Sequence, residues 1–108
     1  MNGTEVVAIY EALLAVTERM LETARAADWA QLVALENECR RLIANLIAAE
    51  PHAPLSGALR SRKVELIRQV LARDAEITNV VDPWMKQLQA ILTSASHEKQ
   101  LQRAYAPD

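Results

Sequence analysis

The sequence contains no phenylalanine, only two glycines and a single cysteine among its 108 residues. One cysteine, Cys39, cannot form an internal disulfide, which fits a reducing compartment such as the cytoplasm. Strand-favouring aromatic residues are scarce, whereas alanine and leucine, which cost least in a helix, are abundant. The composition therefore predicts an all-α protein.

Positive charge and long apolar runs are also lacking. The formal net charge is −2 and the isoelectric point about 5.7, so the composition does not favour binding to nucleic-acid phosphates, which requires an excess of basic residues. The longest apolar run has five residues, whereas a membrane span needs about 18 or more. The first dozen residues hold two glutamates and no lysine or arginine, unlike a secretory signal. We therefore expect a cytoplasmic protein with a single domain over residues 1–108.

Apolar residues recur at steps of three and four, the helical period, in three segments. The first runs over about 4–27. The second runs over about 29–49, and Asp28 before it is a residue type that caps helix N-termini. Within it, Glu36 and Arg40 are spaced for an exposed ion pair. Because the link between the two segments is only a few residues, we expect an antiparallel helical hairpin.

Prolines organise the second half of the chain. Pro51 and Pro54 end the second helix, because proline lacks an amide hydrogen and displaces its predecessor from helical geometry. In the third segment the apolar phase continues across Pro83 without a slip, which predicts one long helix over about 56–95, kinked near 79–83. The expected fold is an antiparallel three-helix bundle (core about 4–95) with a short C-terminal tail (about 96–108), helical over about 97–104. We expect three large side chains to seal the bundle: Trp29, Trp84 and Met85.

Groups that could carry chemistry are sparse. His52 lies between prolines and His97 lies in the polar tail, and neither has a metal-ligand spacing to Cys39 or to the other histidine. Cys39 itself lies on an apolar stripe, where a free cysteine usually behaves as a small hydrophobic residue. We therefore predict no catalytic, cofactor-binding or metal-binding residue, no cofactor, and no enzymatic activity.

Charged side chains leave one enzymatic alternative open. A small all-α enzyme of the chorismate mutase type holds a dicarboxylate with cationic side chains inside a helical bundle. The cationic residues of this chain lie mostly off the apolar stripes, which indicates solvated faces or the rim of a contact with an acidic partner: Arg40, Arg41, Arg60, Arg62 and Lys63. Asp74 interrupts the third stripe, and we expect it at the boundary of the core, within reach of Arg68 or Arg73.

The third segment carries more apolar residues than a narrow helix seam requires. Four apolar residues lie beside the main stripe: Val64, Val70, Val80 and Met85. This surplus predicts a groove between the second and third helices that would accept an amphipathic helix of another protein. A wider, fully buried core face explains the same pattern equally well, so both interpretations stay open. A helical adaptor without a chaperone role is a further alternative.

Short motifs follow one another in a fixed order along the three segments and the tail. In chain order they are Tyr10, Leu13-Leu14, Met20-Leu21, Asp28-Trp29, Leu35-Glu36, Cys39-Arg40-Arg41, Ile67, Val70-Leu71, Asp74-Ala75-Glu76-Ile77, Gln100-Leu101 and Ala104-Tyr105. In this order and spacing the sequence resembles FliT, the flagellar type III export chaperone. The likeness covers nearly the whole chain.

The resemblance implies a cytoplasmic chaperone that binds the C-terminal helical region of the filament-cap protein FliD before export. It also implies contacts with the export ATPase FliI, its partner FliJ and the gate protein FlhA, and in some members inhibition of the transcriptional activator FlhDC. In such proteins the C-terminal helix can cover the substrate surface and regulate binding; here that helix would be short. A homodimer that hides the binding face of the free protein is left open.

Candidate partner-binding residues come from two sources. Tyr105 matches the tyrosine that follows an alanine in the C-terminal motif of the family, and the resemblance implies a role for it in docking on the export gate. The apolar stripes, rather than matched motifs, supply the groove candidates for the cap protein, and core packing explains each of them as well: Leu35, Cys39, Ile67, Leu71 and Ile77.

Overall fold

A computed structural model describes the backbone of residues 2–105 and the side chains of residues 2–94. Three helices follow one another: α1 (Gly3–Arg25), α2 (Trp29–Ala49) and α3 (Gly57–Tyr105). A 3₁₀ turn at Glu50–His52 lies between α2 and α3. The described backbone contains no strand, so the predicted all-α fold is confirmed. Within this same part of the chain, no helix is both long and apolar enough to cross a bilayer.

The link between α1 and α2 is a tight reversal of the chain. Ala27 adopts a left-handed conformation with φ 56°, its amide donates to the Ala24 carbonyl, and the Asp28 amide donates to the Thr23 carbonyl. This hydrogen-bond pattern is a Schellman motif. Asp28 also starts the next helix, because its side chain accepts a hydrogen bond from the Gln31 amide at 3.3 Å. The predicted N-cap and the predicted bounds of α2 are both confirmed.

The helix α1 lies in the middle of the bundle and packs against both other helices. Its first half shares a core cluster with Leu46 of α2 and Leu66 of α3, and its second half shares another with Leu35 of α2 and Ile77 of α3. The end of α2 and the beginning of α3 therefore meet the beginning of α1. It follows that α2 runs antiparallel to its neighbours. The backbones of α2 and α3 hardly approach each other, so one face of the bundle between them stays open.

A polar cluster fastens the 3₁₀ turn to the helices on either side of it. The Tyr10 hydroxyl donates a hydrogen bond of 2.8 Å to Glu50 Oε2, and the Lys63 ammonium group donates to Glu50 Oε1 while lying 5.7 Å from the centre of the Tyr10 ring. Burial, together with the negative charge and hydrogen bond of Glu50, raises the pKa of Tyr10 to about 12. Burial pushes the pKa of Glu50 upward, but the hydrogen bonds from Lys63 and Tyr10 outweigh it, so that this pKa lies below its ordinary value.

The third helix is longer than the bundle to which it belongs. Pro83 lies inside it, so the predicted continuity across this proline is confirmed. The predicted tail is also helical and joins α3 without a break as far as Tyr105; its last residues, 106–108, lie outside the described residues. All side chains over 82–94 are exposed. At about 1.5 Å per residue, the 49 residues of α3 account for the 73 Å length of the molecule.

Candidate partner-binding trough

Two adjoining pockets on the open face between α2 and α3 form an apolar depression, which we call the α2–α3 trough. They have volumes of about 410 and 390 Å³ and share three lining residues, Leu32, Glu36 and Val81. The Met20 side chain of α1 contributes to the lining of the second pocket. The trough exists because α2 and α3 each pack on α1 and leave a gap above it.

One of these pockets, the tryptophan pocket, lies at the start of α2. Trp29 and Trp84 meet edge to face across it, with ring centres 5.7 Å apart and an interplanar angle of 73°. They are 36% and 49% exposed, and Met85 and Leu88 extend the same apolar lining along α3. Large aromatic rings that are half covered by their neighbours are typical anchors at protein interfaces. The tryptophan pocket is therefore suited to an apolar side chain of a partner.

The other pocket, the acidic pocket, has an apolar lining with carboxylates beside it. Ile77 and Cys39 line it from opposite helices, and Asp74 and Asp82 line it from α3. On the opposite side of the trough, Glu36 and Arg40 of α2 form an ion pair, in which Arg40 Nη2 lies 2.6 Å from Glu36 Oε1. Asp74 of α3 and Cys39 of α2 line this pocket together. Burial, and after it the negative charges of Asp74 and Glu36, raise the pKa of the Cys39 thiol.

Exposed apolar side chains continue beyond the two pockets toward the other end of the bundle. Ile43 and Ile47 follow Glu36 of α2 at steps of seven and four, and Leu71 and Val64 precede Thr78 of α3 at steps of seven. Since such steps keep residues on one helix face, these four side chains lie on the side of the trough. By contrast, α1 exposes no large apolar side chain among the residues described.

The structure distributes the predicted groove residues between the trough and the core. Cys39 and Ile77 line the same acidic pocket, although Ile77 is mostly buried. Leu35 is 2% exposed and belongs to the core beneath them, so it offers no surface to a partner in this conformation. Ile67 is half-buried against the other core cluster, and Leu71 is 62% exposed. Tyr105 ends α3, and its side chain lies outside the described residues.

None of the residues that line the tryptophan pocket is among the candidate partner-binding residues predicted from the sequence. The prediction that Trp29, Trp84 and Met85 seal the bundle is wrong, because α3 passes the end of the hairpin and leaves all three exposed. A signal was present in the relative lengths: α3 has 49 residues, against 23 in α1 and 21 in α2. The apolar stripe of the longer helix necessarily continues where the shorter helices have ended. Leu88, Ile91 and Leu92 lie on that extension.

Several cationic side chains form ion pairs, and among those named in the sequence analysis Arg40 alone lines the trough. Three of these ion pairs lie at the surface, Arg40–Glu36, Arg41–Glu38 and Arg62–Glu11, and a fourth, Lys63–Glu50, is half-buried. The expectation that Arg68 or Arg73 reaches Asp74 is wrong, because these arginines bind Glu65 and Glu76 one turn away on their own helix. Over the described side chains, no group of three His, Cys, Asp or Glu residues could hold a metal ion.

The family of this chain follows from its similarity to known proteins. The family model described as flagellar protein FliT matches residues 7–107. The flagellar protein FliT of Cronobacter sakazakii (strain ATCC BAA-894) is 27% identical over 96 residues, which cover 89% of this chain and 79% of that protein. The crystal structure of flagellar protein FliT from Bordetella bronchiseptica superposes with a TM-score of 0.73 at 30% identity, covering 80% of this chain and 97% of that one. The resemblance read from the sequence is thus confirmed, and the chain belongs to the FliT family of flagellar proteins.

Proposed function

We propose that the protein is a cytoplasmic export chaperone that holds the C-terminal helical segment of the filament-cap protein FliD in the α2–α3 trough. The observation that supports this proposal is the row of exposed apolar side chains along one face of the molecule. Contiguous apolar surface of this kind marks an interaction site, and a groove between two helices accepts the apolar stripe of a third.

The proposed mechanism is the shielding of apolar surface, without covalent chemistry. A free amphipathic segment of a cap subunit would associate with other copies through its apolar stripe. In the complex, large side chains from that stripe occupy the tryptophan pocket, where Met85 can adapt its flexible side chain to their shape. The trough is shallow and open to solvent, which favours moderate affinity and a dissociation rate that allows the segment to be released for export.

Delivery requires a second surface that stays accessible while the client is bound. The part of α3 beyond the tryptophan pocket, including Ile91 and Leu92, is exposed and leads to Tyr105. We assign docking on the gate protein FlhA to this end of the molecule, with Tyr105 as the contact. Contacts with the ATPase FliI and with FliJ, and inhibition of FlhDC, belong to the same proposal.

Intrinsic fluorescence offers a direct test, because both tryptophans of the chain lie in the tryptophan pocket. On titration with a peptide comprising the C-terminal helical segment of the cap protein, we expect a blue shift of the emission and binding heat by calorimetry. Trp84→Ala is expected to lower the affinity about tenfold or more, as truncation of an anchoring aromatic does. Arg19→Ala, an exposed change on α1, serves as the matched control and is expected to bind like the wild type.

A result without heat and without an emission change would contradict the proposed function. Equal affinities of Trp84→Ala and the wild type would show that the segment binds elsewhere. Circular dichroism of each variant verifies that the helices are intact.

A further inference from the structure

The charges along the α2–α3 trough are not balanced. Glu36 and Arg40 on the α2 side neutralise each other. Asp74 and Asp82 on the α3 side are exposed, and in the stretch whose side chains are described neither is in an ion pair. Lys86, one turn beyond Asp82, does not pair with it either. The acidic pocket therefore has two carboxylates without an ion-pair partner beside its apolar lining.

The spacing of these two carboxylates fits a helical partner. They are eight positions apart along α3, which corresponds to about 12 Å at 1.5 Å per residue. A second helix that lies along the trough advances by the same rise, so residues seven or eight positions apart on it are about 10–12 Å apart along the axis and lie on one side of the helix. The apolar side chains of Ile77 and Val81 lie between the two acids in sequence and line the same pocket.

We propose that the helix bound in the trough carries two basic side chains, seven or eight residues apart, beside its apolar stripe, where they meet Asp74 and Asp82. The proposal rests on the proposed function, because it names the chemistry of the client held in that same trough. The apolar stripe supplies most of the affinity, and the charges select the client and its register. An acidic helix of the same apolar pattern is rejected, because its carboxylates would face those of the trough.

Two synthetic amphipathic peptides of about 20 residues test the charge selection. They share one leucine stripe and differ only at two flanking positions seven residues apart, which are lysine in one peptide and glutamate in the other. We expect the wild-type protein to bind the lysine peptide about tenfold more tightly than the glutamate peptide at low salt. We expect this preference to diminish at about 0.5 M salt, because salt screens exposed charges.

Variants with equal charge changes locate the preference. Asp74→Asn with Asp82→Asn is expected to abolish the preference for lysine. The matched control, Glu18→Gln with Glu22→Gln, removes two exposed carboxylates of α1 and is expected to retain it. Because all four positions are exposed, the variants are expected to fold, and circular dichroism verifies this. Equal binding of both peptides, binding of neither, or a preference that survives in the asparagine variant would each overturn the proposal.

A parallel titration with the cap-protein segment separates this inference from the proposed function. If the wild type does not bind that segment but shows the lysine preference through Asp74 and Asp82, the proposed function fails and the charge selection stands. If the segment binds the wild type and the asparagine variant equally and the synthetic peptides are not discriminated, the charge selection fails and the proposed function stands.

Discussion

Ala27, in the turn between α1 and α2, adopts a backbone conformation that is usually found at glycine. Its φ of 56° lies in the left-handed region, where the Cβ atom crowds the backbone. The position is the one at which a Schellman motif favours glycine. The chain tolerates the strain because the motif satisfies two helix-terminal carbonyls, and because the next residue, Asp28, caps α2.

We predict that Ala27→Gly raises the free energy of unfolding by about 0.5–1 kcal/mol, since glycine adopts this conformation without a steric cost. Urea denaturation followed by circular dichroism measures the change. Ala34→Gly, an exposed change inside α2, is the matched control and is expected to lower stability by about 1 kcal/mol. A loss of stability in Ala27→Gly would contradict the strain argument.

Tyr10 provides a prediction about pH at the same scale. In a Tyr105→Phe variant Tyr10 is the remaining tyrosine, so phenolate absorbance near 295 nm follows it alone. We expect a midpoint of about 12 in the folded protein. Because this pKa is raised above its ordinary value of 10.0, the contribution of Tyr10 to the free energy of unfolding is complete below pH 10 and is lost as the pH rises through 12.

The variant Glu50→Gln removes the neighbouring charge. It is expected to lower the midpoint of the Tyr10 titration, while burial keeps that midpoint above 10. A midpoint near 10 with intact helices would contradict the contact.

At the scale of the elements, the sequence predicted what local chemistry determines. Asp28 and Pro51 mark the two ends of α2 by capping and by the loss of a donor, and both ends lie where expected. The central position of α1 was not predicted, because all three segments carry apolar stripes and a stripe does not specify how many neighbours cover it. The trough depends on the distance between α2 and α3, which follows from how both pack on α1. For that reason the stripe of α2 does not distinguish a groove position from a core position, and the groove candidate Leu35 lies in the core.

Pro83 divides α3 into two parts of different expected stability. The proline has no amide hydrogen, so the Asn79 carbonyl lacks its usual partner four residues on. Before it, residues such as Leu66 and Ile77 are anchored in the core, whereas after it the described side chains are exposed. We predict that amide hydrogens over 84–94 exchange faster than those over 64–80.

The variant Pro83→Ala is expected to slow exchange over 84–94 about tenfold or more, because a proline in a helix interior destabilises the helix by about 3 kcal/mol. Unchanged exchange in that variant would show that the proline does not limit the helix.

At the scale of the whole molecule, shape determines whether the trough is accessible. The radius of gyration is 20.7 Å, whereas a compact domain of this length would have about 13 Å. The difference arises from α3, which extends past the hairpin and leaves its own apolar stripe and the trough uncovered. If the part of α3 beyond Leu92 folded back over the trough, it would cover Trp84 and Leu88. It would then compete with a client for the tryptophan pocket.

We therefore predict that small-angle X-ray scattering of the full chain at low concentration gives a radius of gyration near 21 Å, the value of the extended form. Binding of the cap-protein segment is expected to change this radius little, because a helix in the trough lies beside α2 and α3 and does not extend the molecule. A free protein with a radius near 15 Å that expands when the segment is added would instead indicate a closed form, in which the chain covers its own trough and the client must displace that cover. The two outcomes differ in energetic consequence: an open trough binds its client at its intrinsic affinity, whereas a closed form reduces the apparent affinity by the fraction of open molecules.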